Sequence, residues 1–126
     1  DDILNEVTTI AVVGASSKKD RDSFKVLQIL IEYGYQVFPI NPNESGKIIL
    51  GKICLPSLKS IEENIDMVDI FRAHDAVMGI AKEAIEIGAK VLWMQEGIVH
   101  KKAASLAEDS GLKVVMDRCP KKELTR

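Results

Sequence analysis

Lys18, Lys19 and Arg21 crowd positive charge into a short stretch just past Gly14-Ala15-Ser16-Ser17, and no other grouping in the chain has residue types better suited to chemistry. Cations beside a glycine and small side chains make a seat for an anion. The glycine permits a tight turn and close backbone approach, while N–H groups of the loop and of a following helix can point at a phosphate. A plain strand-to-helix connection with a solvated basic loop fits the same residues, because a single glycine turn is not specific. The other reactive side chains are scattered. His74 and His100 stand near expected helix starts with no third partner, which suits surface or capping roles. Glu96 has no acid, nucleophile or metal ligand placed beside it, so a hydrogen-bonding role fits it better than that of a general base. Cys54 and Cys119 are too few and too far apart for a disulfide framework or a zinc site. No catalytic set and no metal centre is expected.

The basic loop needs a strand before it and a helix behind it, and the sequence supplies both. Thr8-Thr9-Ile10-Ala11-Val12-Val13 reads as a buried parallel strand. Asp22 and Ser23 are N-cap candidates for a helix that carries Phe24, Leu27, Leu30 and Ile31 on one face and ends at Gly34. Tyr35 to Ile40 is a second strand, broken by Asn41-Pro42-Asn43, which completes a right-handed βαβ unit. Residues 43–65 are less regular, with an apolar Ile48-Ile49-Leu50 and a short helix expected near Ser57 to Glu62. Met67 to Phe71 is the third strand, ending at Arg72. Asp75 is placed to cap a helix with Val77, Ile80, Ala81, Ala84 and Ile85 on its apolar stripe, closed by Gly88. Val91 to Met94 is the fourth strand, ending at Gln95-Glu96-Gly97, with Ala103, Ala104 and Ala107 on one side of the helix after it. Leu112 to Met116 is the fifth strand. Asp1 to Val7 is expected as a helical turn and Asp117 to Arg126 as a charged tail.

Strands alternating with helices predict an α/β fold: a doubly wound, parallel, five-stranded sheet in three layers, forming one domain over residues 1–126. Ligands of such sheets bind beyond the carboxyl ends of the strands, at the point where strand order reverses. The residues to watch are therefore Gly14 to Arg21, Asn41 and Pro42, Phe71 and Arg72, Gln95 to Gly97, and Asp117 to Cys119.

Composition narrows the partners. A net charge of −2 and an aromatic share of 5% argue against a nucleic-acid-binding face, whether basic or stacking. The longest apolar run is too short for a membrane span, and no signal-peptide pattern opens the chain at Asp1, so a cytoplasmic setting with reduced thiols is the expectation. A nicotinamide dinucleotide is disfavoured twice over. Ser16 and Lys19 stand where the dinucleotide fingerprint wants glycines, and Asn41-Pro42 follow the second strand where an acid would meet the adenine ribose. A ribose phosphate is compatible, since Lys18, Lys19, Arg21 and Arg72 can pair with it. A phosphorylated receiver domain would need an acidic cluster where Gly14-Ala15 stands.

Five motifs, taken in order, carry a family resemblance: Val13-Gly14-Ala15-Ser16 with Asp20-Arg21, Pro39-Ile40-Asn41-Pro42, Met67 to Arg72, Leu92 to Ile98, and Val114 to Pro120. Together they resemble the small stand-alone coenzyme A-binding proteins, whose Rossmann-like fold is shared with the CoA-binding domain of succinyl-CoA synthetase. The likeness covers nearly the whole chain. It implies CoA or an acyl-CoA as ligand. By resemblance, Gly14, Ala15, Ser16, Ser17, Lys18 and Arg21 would hold the phosphates, Asn41 and Pro42 would lie by the adenosine, and Phe71, Arg72, Gln95 and Gly97 would line the pantetheine path. Ser17-Lys18-Lys19 departs from the proline-bearing loop usual in that family. Cys119 would lie near the coenzyme's thiol end, as an inert buried thiol or, more sharply, as a partner in a mixed disulfide. The resulting expectation is a non-catalytic binding or regulatory module, with a protein partner or a homo-oligomer open to it. The alternatives are a subunit of an acyl-CoA ligase and an NADP-binding regulator. Replacing Gly14 by Val is expected to remove ligand binding and leave most of the fold.

Overall fold

The structure, a computed structural model, describes residues 2–126; Asp1, part of the expected N-terminal turn, lies outside the described residues. In chain order the elements are α1 (Asp2–Glu6), β1 (Thr9–Val13), α2 (Asp22–Glu32), β2 (Gln36–Ile40), β3 (Ile48–Ile49), β4 (Lys52–Ile53), β5 (Met67–Ile70), α3 (His74–Glu86), β6 (Val91–Met94), α4 (Lys101–Asp109), β7 (Lys113–Val115) and α5 (Pro120–Leu124). Five strands form one parallel sheet in the order β2-β1-β5-β6-β7. This is the doubly wound α/β sheet that the alternation predicts. A parallel bridge from Leu55 to Ile40 adds one rung outside β2.

Side chains alternate between the two faces of the sheet, and each face has its own core. Ala11, Val13, Val68, Ile70, Leu92 and Met94 point to the side covered by α3 and α4, against Val77, Ala81, Ala103 and Ala107. Ile10, Val12, Met67 and Trp93 point to the opposite side, against Leu4 of α1 and Phe24, Leu27 and Leu30 of α2. Removing one of these side chains from water contributes about 1.5–3 kcal/mol. The layers therefore hold the strand ends in fixed register.

The boundaries differ from expectation in four places. Within residues 43–65 lies a small antiparallel hairpin, β3 with β4, whose two-residue turn puts Leu50 (φ 50°) and Gly51 (φ 80°) in left-handed conformations. Such a turn usually advertises itself with Asn-Gly, and Leu50 hides it. The helix expected at Ser57 to Glu62 shrinks to a single 3-10 turn, Leu58–Ser60. Neither Asp22 nor Asp75 is an N-cap: α2 begins one residue and α3 two residues earlier than that role requires, with Arg21 and Ala73 at the cap positions. Both carboxylates instead lie in first turns, where the positive end of the helix dipole favours them. Finally, the charged tail contains α5, with Pro120 at its start, where a missing N–H costs nothing.

One polar side chain lies inside the helix-covered sheet. Asp69, on β5, is fully buried between Val12 of β1 and Trp93 of β6, and neither carboxyl oxygen has a hydrogen-bond partner among the described residues. Burial alone pushes its carboxyl well above the usual range, so the folded chain holds a proton there that the unfolded chain releases. The stability penalty is absent below the unfolded value, near pH 4, and grows as pH rises towards the folded value. Asp69→Asn keeps the shape and removes the titration. The difference in unfolding free energy between this variant and the parent chain is expected to widen in favour of Asn from about pH 4 to pH 8. A pH-independent difference, read by denaturant titration, would show that Asp69 ionises freely in the fold.

Candidate functional site

From β1 the chain passes outward to β2, and it returns to β5 on the other side of β1, so the ends of β1 and β5 flank the point where strand order reverses. At that point the backbone closes tightly. The Phe71 amide donates to the Val13 carbonyl at 2.8 Å, and Gly14 turns away with φ +91°. A Cβ on Gly14 would sit 2.3 Å from the Phe71 carbonyl oxygen and 2.9 Å from its carbon. Glycine is thus required for two strand ends to meet, before any ligand is considered. This corrects the expectation that Gly14→Val spares the fold.

The loop after Gly14 is stapled to the end of β2. Gly14 and Ala15 both donate their amides to the Ile40 carbonyl, at 2.8 and 3.2 Å. Asn41 Nδ2 donates to the Ala15 carbonyl at 2.8 Å, while its Oδ1 accepts from the Asn43 amide at 2.9 Å. Glu44, in the turn after β2, grips Ser17: Oε2 accepts from the Ser17 amide at 2.6 Å and Oε1 from its hydroxyl at 2.7 Å. The Ser17 hydroxyl, first among the causes, and the Lys47 ammonium hold the Glu44 carboxyl below its usual range. The Lys18 amide donates to Ser16 Oγ at 3.1 Å. So the amides of Gly14, Ala15, Ser17 and Lys18 already have partners within the protein, contrary to a loop of free N–H groups. Donors for an anion are found one step on, where no side chain caps the start of α2 and Arg21 is exposed beside Asp22 and Ser23.

Two adjoining cavities open over these strand ends. One, of about 400 Å³, gathers Gly14, Ala15, Ser16, Arg21, Asn41 and Phe71. The other, of about 470 Å³, runs between α2 and α5 and takes in Phe71, Arg72, Gln95, Ile98 and Cys119. Phe71 and Asp22 belong to both, so the two cavities adjoin at the switch point. Of the site residues expected from sequence, Ser17, Lys18, Pro42 and Gly97 line neither cavity. Ser17 acts through Glu44, and Gly97 (φ +85°) donates its amide to Asp117 Oδ1 at 2.7 Å, which ties the end of β6 to the exit of β7.

The second cavity has features the motifs did not show. Lys25 of α2 and Lys121 and Lys122 of α5 line it, and Lys122 pairs with Glu96 at 2.9 Å. The apolar stripe of α2 puts Lys25 on the opposite, open side, which was readable; the fold-back of the tail as α5 was not. Gln95 is only 6% exposed, and its Oε1 has no partner. Nearby, the Trp93 indole N–H donates to the Arg118 carbonyl at 2.8 Å, fixing the backbone that leads to Cys119. Of the two histidines His100 is a cap, its Nδ1 accepting from the Ala103 amide at 3.1 Å; its ring stacks on His74, the first residue of α3, with centroids 4.3 Å apart.

Two outcomes follow from this geometry. Gly14→Ala should lower the unfolding free energy by roughly 2 kcal/mol or more, combining left-handed strain with overpacking, as read by denaturant titration. A loss under half that size would show that the strand ends can part without cost. Glu44→Gln should speed amide hydrogen exchange at Ser17 by roughly tenfold or more, the equivalent of a lost charge-assisted hydrogen bond. Because the Glu44 carboxyl titrates below its usual range, this grip is complete above the unfolded value and fades as pH falls; the two chains should converge in acid.

Comparison with known proteins places the groove in context. The family described as CoA binding domain matches residues 8–125. The uncharacterized protein YneT of Bacillus subtilis is 38% identical over 120 residues, covering 95% of this chain and 87% of that protein. A solved protein of Thermus thermophilus superposes with a TM-score of 0.94 at 34% identity, covering 99% of this chain and 93% of the other. The ADP-forming acetate–CoA ligase I of Archaeoglobus fulgidus is 26% identical over 120 residues, which make up only 17% of its length. With nearly its whole length matched, the chain belongs to the CoA-binding domain family.

Proposed function

We propose that the chain binds coenzyme A or an acyl-CoA along the groove formed by the two cavities, as a binding or regulatory module without a reaction of its own. The observation that carries this is the groove's change of character along its length. At one end stand Arg21 and the uncapped start of α2, which suit phosphates; at the other, Val26, Phe71 and Ile98 with the unpartnered Gln95 Oε1 suit a pantetheine arm with amide N–H groups. The residues present therefore fit the group. Arg21 and the first amides of α2 would neutralise the pyrophosphate, Gln95 would accept from an arm amide, and Asn41 and Glu44 would hold the loop in place. Lys18, exposed on the same loop, is assigned to the ribose phosphate.

The likeness to the ADP-forming ligase favours a second reading, in which the chain supplies the CoA site to catalytic parts carried elsewhere. An NADP-binding role is the third. Thermal unfolding with CoA, dephospho-CoA, NAD and NADP in parallel separates them. Ligand at a hundredfold over Kd adds about 2.7 kcal/mol, which raises Tm by several degrees in a domain of this size. A rise with CoA is the expected result, smaller with dephospho-CoA, and Lys18→Ala should weaken CoA more than dephospho-CoA. A rise with NADP alone would overturn the CoA reading. No rise with any ligand would favour the ligase-subunit reading.

A further inference from the structure

We infer that Cys119 is a covalent capture site for the thiol end of coenzyme A, forming a mixed disulfide by exchange with a CoA disulfide. The inference rests on the proposed CoA groove and deepens it. Cys119 is 7% exposed, yet it lines the cavity between α2 and α5 that Phe71 joins to the phosphate end. Its backbone is held: the Arg118 amide donates to the Met94 carbonyl at 3.3 Å, and the Arg118 carbonyl accepts the Trp93 indole.

An independent observation points to a ligand at the same place. Gln95 is more than nine-tenths buried, lines that cavity with Cys119, and leaves Oε1 without a partner. A buried carboxamide left unpaired is destabilising, so a ligand group that pairs with it relieves the cost. The arm of CoA carries amide groups followed by a sulfur, which matches a carboxamide and a thiol on one cavity. Lys122 stands on the same cavity wall, with its ammonium paired to Glu96 at 2.9 Å. The thiolate of Cys119 is the form that attacks a disulfide.

The other cysteine lacks all of this. Cys54 is buried against the carbonyls of Asn41 and Leu55, at 3.7 and 3.9 Å, and lines neither cavity of the groove. Burial, first among the causes, also holds its thiol above the usual range.

The step balances without a further oxidant. Cys119 loses its proton to solvent, and the thiolate attacks one sulfur of CoA–S–S–CoA. A bond forms between Sγ and that sulfur, the original S–S bond breaks, and the second CoA leaves as a thiolate that takes up a proton. One disulfide is exchanged for another. A reducing thiol reverses it, so occupancy of the groove would follow the redox state of the CoA pool.

The test uses the reduced full chain and its Cys119→Ser and Cys54→Ser variants, each incubated with CoA disulfide or with glutathione disulfide and read by intact mass. The expected result is one CoA adduct on the parent chain and on Cys54→Ser, none on Cys119→Ser, release by dithiothreitol, and reaction with glutathione disulfide slower by roughly tenfold or more, since only CoA is concentrated by the groove. Equal rates with the two disulfides, or an adduct on Cys54, would overturn the inference. Binding of reduced CoA by the parent chain is measured alongside by thermal shift. No adduct with that binding intact would overturn capture and leave the CoA groove standing; no adduct and no binding would overturn both.

Discussion

The contact between Gly14 and the carbonyl of Phe71 is the constraint on which the rest of the site depends. Two parallel strands end side by side where the chain changes direction across the sheet, and the backbone of one passes where a Cβ of the other would have to be. Everything above that contact inherits its geometry. Phe71 is thereby placed on the floor shared by both cavities, Arg72 on the wall of the second, and the loop from Ala15 to Arg21 over the end of β2. A glycine in a loop of this kind is easily assigned to phosphate approach. Here the space it saves is taken by the protein itself.

The same economy runs through the loop. Amides that would cradle an anion are given to Ile40, Glu44 and Ser16, and the side chain of Asn41 is used at both ends by the backbone. What this achieves is rigidity: the loop is held by charge-assisted and neutral hydrogen bonds before a ligand arrives, which lowers the ordering cost of binding. At the start of α2 no side chain among the described residues caps the first turn, where Arg21 and Asp22 stand exposed. Glu44, a carboxylate seated in a basic loop, is in this light a structural tie and not a competitor for the ligand.

Much of the fold was legible because parallel strands buried on both faces read as short β-branched runs, and the helices between them keep a clear apolar stripe. Val91 to Met94 and Phe24, Leu27 and Leu30 are examples. The hairpin was not, since its turn rests on a left-handed Leu50 that no pattern announces. Nor was α5: Pro120-Lys121-Lys122-Glu123-Leu124 is too short and too charged to show a periodicity, and only its packing against α2 makes it a wall of the groove. At the strand ends, the expected residues Gly14, Asn41, Phe71, Arg72 and Gln95 line the two cavities. Their hydrogen bonds were not legible, because partners such as Ile40 with Ala15, or Glu44 with Ser17, are set by tertiary placement. Asp69 was passed over as one more residue of a strand. Only its burial between Val12 and Trp93 makes it notable.

The central claim is that two cavities on either side of Phe71 act as one groove for one ligand. A crystal structure of the chain grown with coenzyme A tests this most directly. The account predicts continuous density, with the pyrophosphate at Arg21 and the start of α2, the arm crossing Phe71, and an arm amide within hydrogen-bond distance of Gln95 Oε1. Density confined to one cavity, or an arm that leaves the surface without crossing Phe71 towards α5, would contradict it.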